Sequence, residues 1–147
     1  MALYYPEKIL KKAILNAYLS RGESKNGNVY TLILCFPLLE EIHSSFGYSL
    51  YEKALKKINE SLSKLLPPNR VVVNYDLETL ITFVEGNPER IKDKLTNFFD
   101  KFEILLDKRF VHQRAKISYI PLEKNPEETI DDLTIKVESV VYELKNF

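Results

Sequence analysis

The spacing of apolar residues along the chain predicts a mixture of helices and strands. Residues 6–20 carry apolar side chains at helical spacing, and Pro6 stands near the start, where a helix tolerates proline. Residues 21–28 hold two glycines among polar residues, which predicts a loop. Val29–Phe36 is almost continuously apolar, which is typical of a strand buried on both faces. We therefore expect this segment to be the central strand of a sheet.

Two helices and a hairpin are predicted after this strand. A short helix from Leu38 to about Ser45 ends before Gly47, and a longer one runs from Leu50 to about Leu66. Two prolines at 67–68 end the longer helix, because proline supplies no amide donor and clashes with the preceding turn. Residues 70–75 and 80–85 are rich in β-branched and aromatic side chains and lie four residues apart, so they predict a β-hairpin.

The last third of the chain predicts two more helices around one strand. Asn87-Pro88 supplies an N-cap and a first helical residue, and the helix is expected to run to about Leu106. Lys116–Ile120 is predicted to be the fourth strand. Asn125–Glu128 is predicted to open the last helix, with its glutamate placed to close a capping box. Between these elements, the basic residues around Phe110 favour a solvated edge segment over a nucleic-acid surface.

This order of elements contains a ferredoxin-like βαββαβ unit with one additional helix at each end. Such a unit predicts an antiparallel-containing sheet with helices packed against it. The helices inside the unit cover only one face of the sheet, so we expect the first and last helices to cover the other.

Composition limits the classes of protein to which the chain can belong. Its 147 residues and 45% hydrophobic content suit one domain with a single core, and no linker interrupts it. The 21 basic and 21 acidic residues cancel, so there is no general attraction to nucleic acid or an anionic membrane. No apolar run reaches the roughly 18–20 residues needed to cross a bilayer. With Cys35 as the single cysteine and no signal-peptide pattern, we expect a cytoplasmic protein without membrane insertion.

Two segments carry a more specific pattern. Cys35–Glu52 follows the spacing D-x-D-x-F-K-x-I-N-D-x-x-G-H-x-x-G-D in its apolar positions and at Gly47, and Val137–Lys145 follows A-D-x-A-L-Y-x-A-K. In these segments the chain resembles the GGDEF (diguanylate cyclase) domain family over about residues 29–146. The resemblance implies a palm-type α/β (α+β) fold in which residues 1–147 form one domain and residues 1–28 lead into it.

The resemblance also implies where a magnesium–nucleotide site would lie, and most of its polar residues differ here. The family signature falls on Asp76, Leu77, Glu78, Thr79 and Leu80, so Asp76 and Leu77 replace two glycines that let the backbone approach phosphates. Of the two metal-binding carboxylates, Glu78 remains, whereas Cys35 supplies a soft thiol that is a poor Mg²⁺ ligand. Glu78 also suits a solvated hairpin turn.

Nucleotide contacts implied by the family are altered as well. Glu40 stands at the position of a family lysine, and His43 and Glu52 stand where the family recognises guanine. Lys145 matches a lysine of the family's last helix. The family's inhibitory R-x-x-D motif maps onto residues 67–70 and is missing. Each of these side chains also suits an ordinary surface role, Lys145 as a cation complementing a helix C-terminus.

These observations predict a catalytically inactive, cyclic di-GMP-related bacterial signalling or regulatory domain that works through protein contacts, with a protein partner or as a homodimer. We expect no catalytic residue, no cofactor and no bound metal, with Glu78 and Cys35 as the remnant of a metal site. Two alternatives remain open. The first is a non-catalytic sensor of GTP or a cyclic dinucleotide that uses Glu78, His43 and Glu52, with Lys145 as a further contact. The second is a residual diguanylate cyclase.

Overall fold

A computed structural model describes residues 6–20, 29–67, 71–122 and 129–146. The predicted loop at residues 21–28 lies outside these ranges. The elements of the described residues are α1 (Pro6–Ser20), β1 (Val29–Cys35), α2 (Pro37–Phe46), α3 (Tyr48–Leu65), β2 (Val72–Asn74), β3 (Thr79–Glu85), α4 (Pro88–Phe99), β4 (Glu103–Leu106), β5 (Arg109–His112), β6 (Lys116–Pro121) and α5 (Ile130–Asn146).

Four strands form an antiparallel sheet in the order β2-β3-β1-β6. The predicted position of β1 is confirmed, since it lies between β3 and β6. At the carboxyl end of β1, Cys35 is paired with Thr79 on one side and Lys116 on the other. The beginning of β3, the end of β1 and the beginning of β6 therefore meet at one edge of the molecule.

Helices cover both faces of this sheet, as the sequence predicts. Successive side chains of a strand point to opposite faces, so Leu32 and Leu34 pack in a core with α2, α3 and α4. Ile33 faces the other way, into a second core formed with α1 and α5. The nearly continuous apolar run of β1 is thus explained by burial on both faces. No helix within the described ranges is long and apolar enough to span a membrane.

The predicted extension of the fourth helix to Leu106 is wrong. The helix α4 ends at Phe99, and β4 and β5 form a separate two-stranded antiparallel hairpin. Buried and exposed residues alternate along Glu103–Leu106, which is the period of a strand. Asp107 and Lys108 turn the hairpin with positive φ angles of 45° and 66°. The apolar residues of β4 follow those of α4 so closely that the two patterns merge in the sequence.

The predicted start of the last helix is also wrong. The predicted cap at Asn125–Glu128 lies outside the described residues, and α5 begins only at Ile130. Thr129 and Asp132 form the reciprocal cap instead: the Asp132 amide donates to Thr129 Oγ1 over 3.1 Å, and the Thr129 amide donates to Asp132 Oδ2 over 3.2 Å. A capping box therefore exists, four residues later than predicted.

Candidate functional site

The hairpin turn between β2 and β3 is shaped by Asp76. Its Oδ1 accepts a hydrogen bond from the backbone amide of Glu78 at 3.0 Å, which is the Asx-type turn that aspartate favours. The Glu78 carbonyl accepts from the Phe36 amide at 2.7 Å, which fixes the turn to the end of β1. Local sequence thus positions the Glu78 side chain beside the carboxyl end of the central strand.

Lys145, near the end of α5, reaches both carboxylates of this turn. Its Nζ lies 2.9 Å from Asp76 Oδ2 and 3.4 Å from Glu78 Oε1. The Glu78 side chain is only 10% exposed, whereas those of Asp76 and Lys145 are 27% and 34% exposed. One cation therefore serves two carboxylates, and these three residues are called the ion-pair cluster below.

The electrostatics of the ion-pair cluster follow from burial and from this uneven charge. Burial raises the pKa of Glu78, and the nearby charges of Asp76 and Glu40 act in the same direction, while Lys145 opposes them. Burial disfavours the Lys145 ammonium, but hydrogen bonding to Asp76 and the charges of both carboxylates still raise its pKa. Lys145 therefore stays charged at neutral pH and is held by its two partners.

Cys35 lies next to the ion-pair cluster at the end of β1. Its side chain is buried, and burial together with the charges of Glu78 and Asp76 raises the pKa of the thiol to about 11. The thiol is consequently protonated at neutral pH, because a thiolate here would be desolvated and repelled by the carboxylates. A neutral buried thiol is neither a nucleophile nor a ligand for a hard cation.

Two further contacts, one at the middle and one at the end of α5, hold this helix against the sheet and so position Lys145. Lys116 Nζ donates to the carbonyl of Leu144 at 3.2 Å, where a helix C-terminus leaves carbonyls unpaired. The Tyr75 hydroxyl donates to Glu138 Oε2 at 2.9 Å. The last helix is therefore tied to the β2–β3 hairpin through Asp76, Glu78 and Tyr75, and to β6 through Lys116.

Tyr51 closes the opposite side of the turn. Its hydroxyl donates to the Leu77 carbonyl at 2.7 Å, and the residue is only 7% exposed. Tyr51 stands at the second glycine of the family's G-H-x-x-G-D block. The ring therefore fills space that a glycine would leave open, and it ties α3 to the hairpin turn.

His43 packs against this tyrosine. Its ring centroid lies 5.4 Å from that of Tyr51 and 6.4 Å from that of Tyr48, with both pairs edge to face. His43 is half-buried, and Glu52 is exposed on α3. Of the two residues predicted for guanine recognition, His43 thus packs against two tyrosine rings, whereas Glu52 is exposed.

The structure brings four of the predicted site residues together: Cys35, Asp76, Glu78 and Lys145. Thr79 and Leu80 are buried in β3. The missing motif at residues 67–70 includes Arg70, which lies outside the described residues. Sequence reasoning missed two contributors, Tyr51 and Lys116. A bulky ring at a family glycine position could have pointed to Tyr51, whereas nothing local points to Lys116.

A metal site is not evident among the described residues, where no group of three or more His, Cys, Asp or Glu side chains is arranged to hold an ion. Lys145 lies between the two carboxylates of the turn.

No family model matches the sequence, and no curated protein matches it. Among solved structures, a sensory box/GGDEF family protein from Caulobacter crescentus superposes with a TM-score of 0.70 at 11% identity, covering 95% of this chain and 91% of that one. The GGDEF domain of TpbB (YfiN) from Pseudomonas aeruginosa gives 0.68 at 18% identity, covering 95% and 81%.

A third structure shows the same architecture within a longer protein. Diguanylate cyclase SiaD from Pseudomonas aeruginosa, in complex with its activator SiaC, superposes with a TM-score of 0.74 at 8% identity. The match covers 95% of this chain and 54% of the SiaD chain. Together with the sheet order and the helices on both of its faces, these superpositions show that the chain has the fold of GGDEF diguanylate cyclase domains.

Proposed function

We propose that this chain is a catalytically inactive GGDEF-like signalling domain that acts through protein contacts. The ion-pair cluster carries the proposal. By resemblance, Lys145 corresponds to a lysine of the family's last helix, and Asp76 stands at the first glycine of the signature. Here the Asp76 carboxylate lies 2.9 Å from Lys145 Nζ. A nucleotide phosphate would have to displace this carboxylate and then tolerate its charge.

Tyr51 supports the same conclusion from the base side of the site. Its ring is buried, and its hydroxyl is bound to the Leu77 carbonyl. A guanine entering this space would have to displace a packed aromatic side chain and leave a carbonyl without its donor, and both changes carry a free-energy cost.

The residues present do not fit Mg²⁺, which the fold family uses. Mg²⁺ needs near-octahedral oxygen ligands. Cys35 contributes a protonated thiol, and Glu78 is paired with Lys145 and has a raised pKa. Binding a divalent cation would first require Lys145 to leave the ion-pair cluster.

Protein contact is the role that we propose for a chain of this fold that no longer binds nucleotide. The diguanylate cyclase SiaD, which shares the fold, was solved with an activator protein bound. We propose that the present chain acts in the cytoplasm on a protein partner or as a homodimer, and that residues 1–147 form one domain. Analytical ultracentrifugation at micromolar concentration distinguishes these two possibilities. A dimer would support the homodimer, whereas a monomer would indicate that the chain acts on a different protein.

The test combines binding and turnover measurements on the full chain. Calorimetric titration with GTP and Mg²⁺, with ATP and with cyclic di-GMP is expected to give no saturating heat. Incubation with GTP and Mg²⁺ or Mn²⁺, followed by chromatography, is expected to give no cyclic di-GMP, while SiaD under the same conditions serves as the positive control.

Two results would replace the proposal by one of its alternatives. Saturating heat without product would indicate a nucleotide sensor. Cyclic di-GMP formation that is abolished by Glu78→Ala would indicate a residual cyclase. A variant carrying Asp76→Gly, Leu77→Gly and Tyr51→Gly reopens both sides of the turn, and nucleotide binding gained only in this variant would strengthen the proposed cause of inactivity.

A further inference from the structure

Beside the ion-pair cluster lies a group of aromatic and apolar side chains in which three exposed residues surround a half-buried histidine and a buried tyrosine. This aromatic surface consists of His43, Phe46, Tyr48, Tyr51 and Leu77. We propose that the aromatic surface binds a cationic side chain, arginine or lysine, on the surface of a partner protein. The inference rests on the proposed function and names the chemistry of the partner.

The exposure of these side chains is the first argument. Tyr48 is 64% exposed, Leu77 is 40% exposed and Phe46 is 39% exposed. Gly47 lies between Phe46 at the end of α2 and Tyr48 at the start of α3. Its φ of 88° and ψ of 177° lie in a region that essentially only glycine adopts, and this conformation separates the two helices. Neighbouring apolar side chains left exposed in this way are typical of a surface that a partner covers.

The arrangement of the rings is the second argument. The centroids of Tyr48 and Tyr51 lie 6.2 Å apart at an interplanar angle of 39°, and His43 stands edge-on to both. Tyr51 is fixed by its hydrogen bond to Leu77, so the ring cluster is held in place before any partner arrives. Tyrosine faces attract ammonium and guanidinium groups through the ring quadrupole.

The third argument is the negative charge of two glutamates that stand near the rings. Glu52 follows Tyr48 by one helical turn on α3, and both are exposed. Glu40 lies near enough to Glu78 to contribute to the raised pKa of that carboxyl. Glu40 and Glu52 form no ion pair within the described part of the chain.

The ion-pair cluster holds two carboxylates and one lysine, and the charge of Lys116 also acts on the neighbouring Cys35 thiol. The nearest cations along α3, Lys53 and Lys56, follow Glu52 in sequence and are exposed. Negative potential over aromatic faces repels phosphates, nucleic acid and anionic lipid and favours a cation. Arginine is the residue that best combines charge with stacking on aromatic rings, and it is enriched at protein interfaces.

The experiment is an NMR titration of the full chain with defined peptides. The probe is an acetylated 14-residue peptide with leucine and arginine at helical spacing, and the matched peptide carries glutamate in place of arginine. We expect saturable shifts of the Tyr48 and His43 ring signals with the arginine peptide only. Tyr48→Ala should weaken binding about three- to thirtyfold, as the loss of a cation–π contact predicts. Glu52→Lys should weaken it by about threefold or more.

Matched control variants lie on the β4–β5 hairpin. Phe110→Ala removes an aromatic ring that is 69% exposed, and Glu103→Lys reverses an exposed charge, so both change the same chemistry outside the aromatic surface. Their affinities should equal that of the unchanged chain.

Equal weakening by all four variants, equal binding of the glutamate peptide, or no saturable shift up to about 1 mM peptide would each overturn the inference. If the chain does not turn over GTP, such a failure overturns only the proposed role of the aromatic surface and leaves the proposed function standing. Turnover of GTP by the chain would overturn the proposed function, whatever the result of the peptide titrations.

Discussion

Replacing Lys145 by methionine tests the ion-pair cluster most directly. The substitution keeps an unbranched side chain of similar length and removes the charge. Asp76 and Glu78 are then left beside each other without the cation that lies 2.9 Å and 3.4 Å from them. The ionised form of Glu78 is destabilised most, because its side chain is only 10% exposed and water cannot fully replace the lysine.

The expected cost lies between two measured limits. Exposed ion pairs contribute about 0.2–1 kcal/mol, whereas leaving one partner of a fully buried pair costs about 3–5 kcal/mol. The Lys145 side chain is about one-third exposed, so solvent screens part of the interaction. We expect Lys145→Met to lower the free energy of unfolding by about 1–2 kcal/mol, which for a chain of this length lowers Tm by roughly 3–8 °C.

This loss should depend on pH in a defined direction. The folded pKa of Glu78 is raised above its ordinary value of 4.5, so protonated Glu78 contributes stability that is complete below pH 4.5 and is lost as the pH rises through the folded pKa. Without Lys145, the folded pKa rises further. The difference in unfolding free energy between the variant and the unchanged chain should therefore be largest near neutral pH and shrink towards pH 4.5.

The assay is urea unfolding of four proteins that form a double-mutant cycle. Asp76→Asn is the partner substitution, because the amide oxygen can still accept the Glu78 amide while the charge is removed. We expect a coupling free energy of about 0.5–1 kcal/mol between positions 76 and 145. A loss below about 0.3 kcal/mol at neutral pH, within the error of such cycles, would refute the reasoning, as would a loss that does not change with pH.

Three further measurements probe the surroundings of the turn. Tyr51→Phe removes the hydrogen bond to the Leu77 carbonyl and should lower the free energy of unfolding by about 1 kcal/mol in urea; an unchanged value would contradict a structural role for that hydroxyl. Gly47→Ala forces a side chain into a φ of 88° and should cost about 1–3 kcal/mol in thermal unfolding, while Ser45→Ala on the exposed end of α2 should cost under about 0.5 kcal/mol; equal effects would argue against backbone strain. The Cys35 thiol, with its pKa raised to about 11, should react slowly with iodoacetamide in the folded chain, at a rate that rises about tenfold per pH unit from pH 7 to 9 with the thiolate fraction, and much faster in urea; fast alkylation of the folded chain at pH 7 would show that the end of β1 is open.

The sequence by itself determined most of the secondary structure. The apolar run of β1 indicated burial on both faces, because a strand exposed on one side would alternate. The residues Asn87-Pro88 set the start of α4, where the Asn87 side chain accepts from the amides of Glu89 and Arg90. These signals are local: capping, turn chemistry and period act within a few residues of the chain.

Local signals failed where two elements follow each other without a break. The apolar residues of α4 run directly into those of β4, and the change of period from 3.6 to 2 takes place within four residues. The start of α5 was misplaced for a related reason, since a second capping signal, at Thr129 and Asp132, follows the predicted one within a few residues.

The candidate site was predicted residue by residue, but the way its residues are connected was not. The resemblance to the GGDEF family indicated Cys35, Asp76, Glu78 and Lys145 without showing that the lysine pairs with both carboxylates, because 69 residues separate Asp76 from Lys145. That contact exists because β1, β3 and β6 align their ends at one edge and Lys116 holds the last turn of α5 against it. The amino-acid sequence therefore determined which side chains are present, and only the packing of α5 and α3 on the sheet decided which of them are in contact.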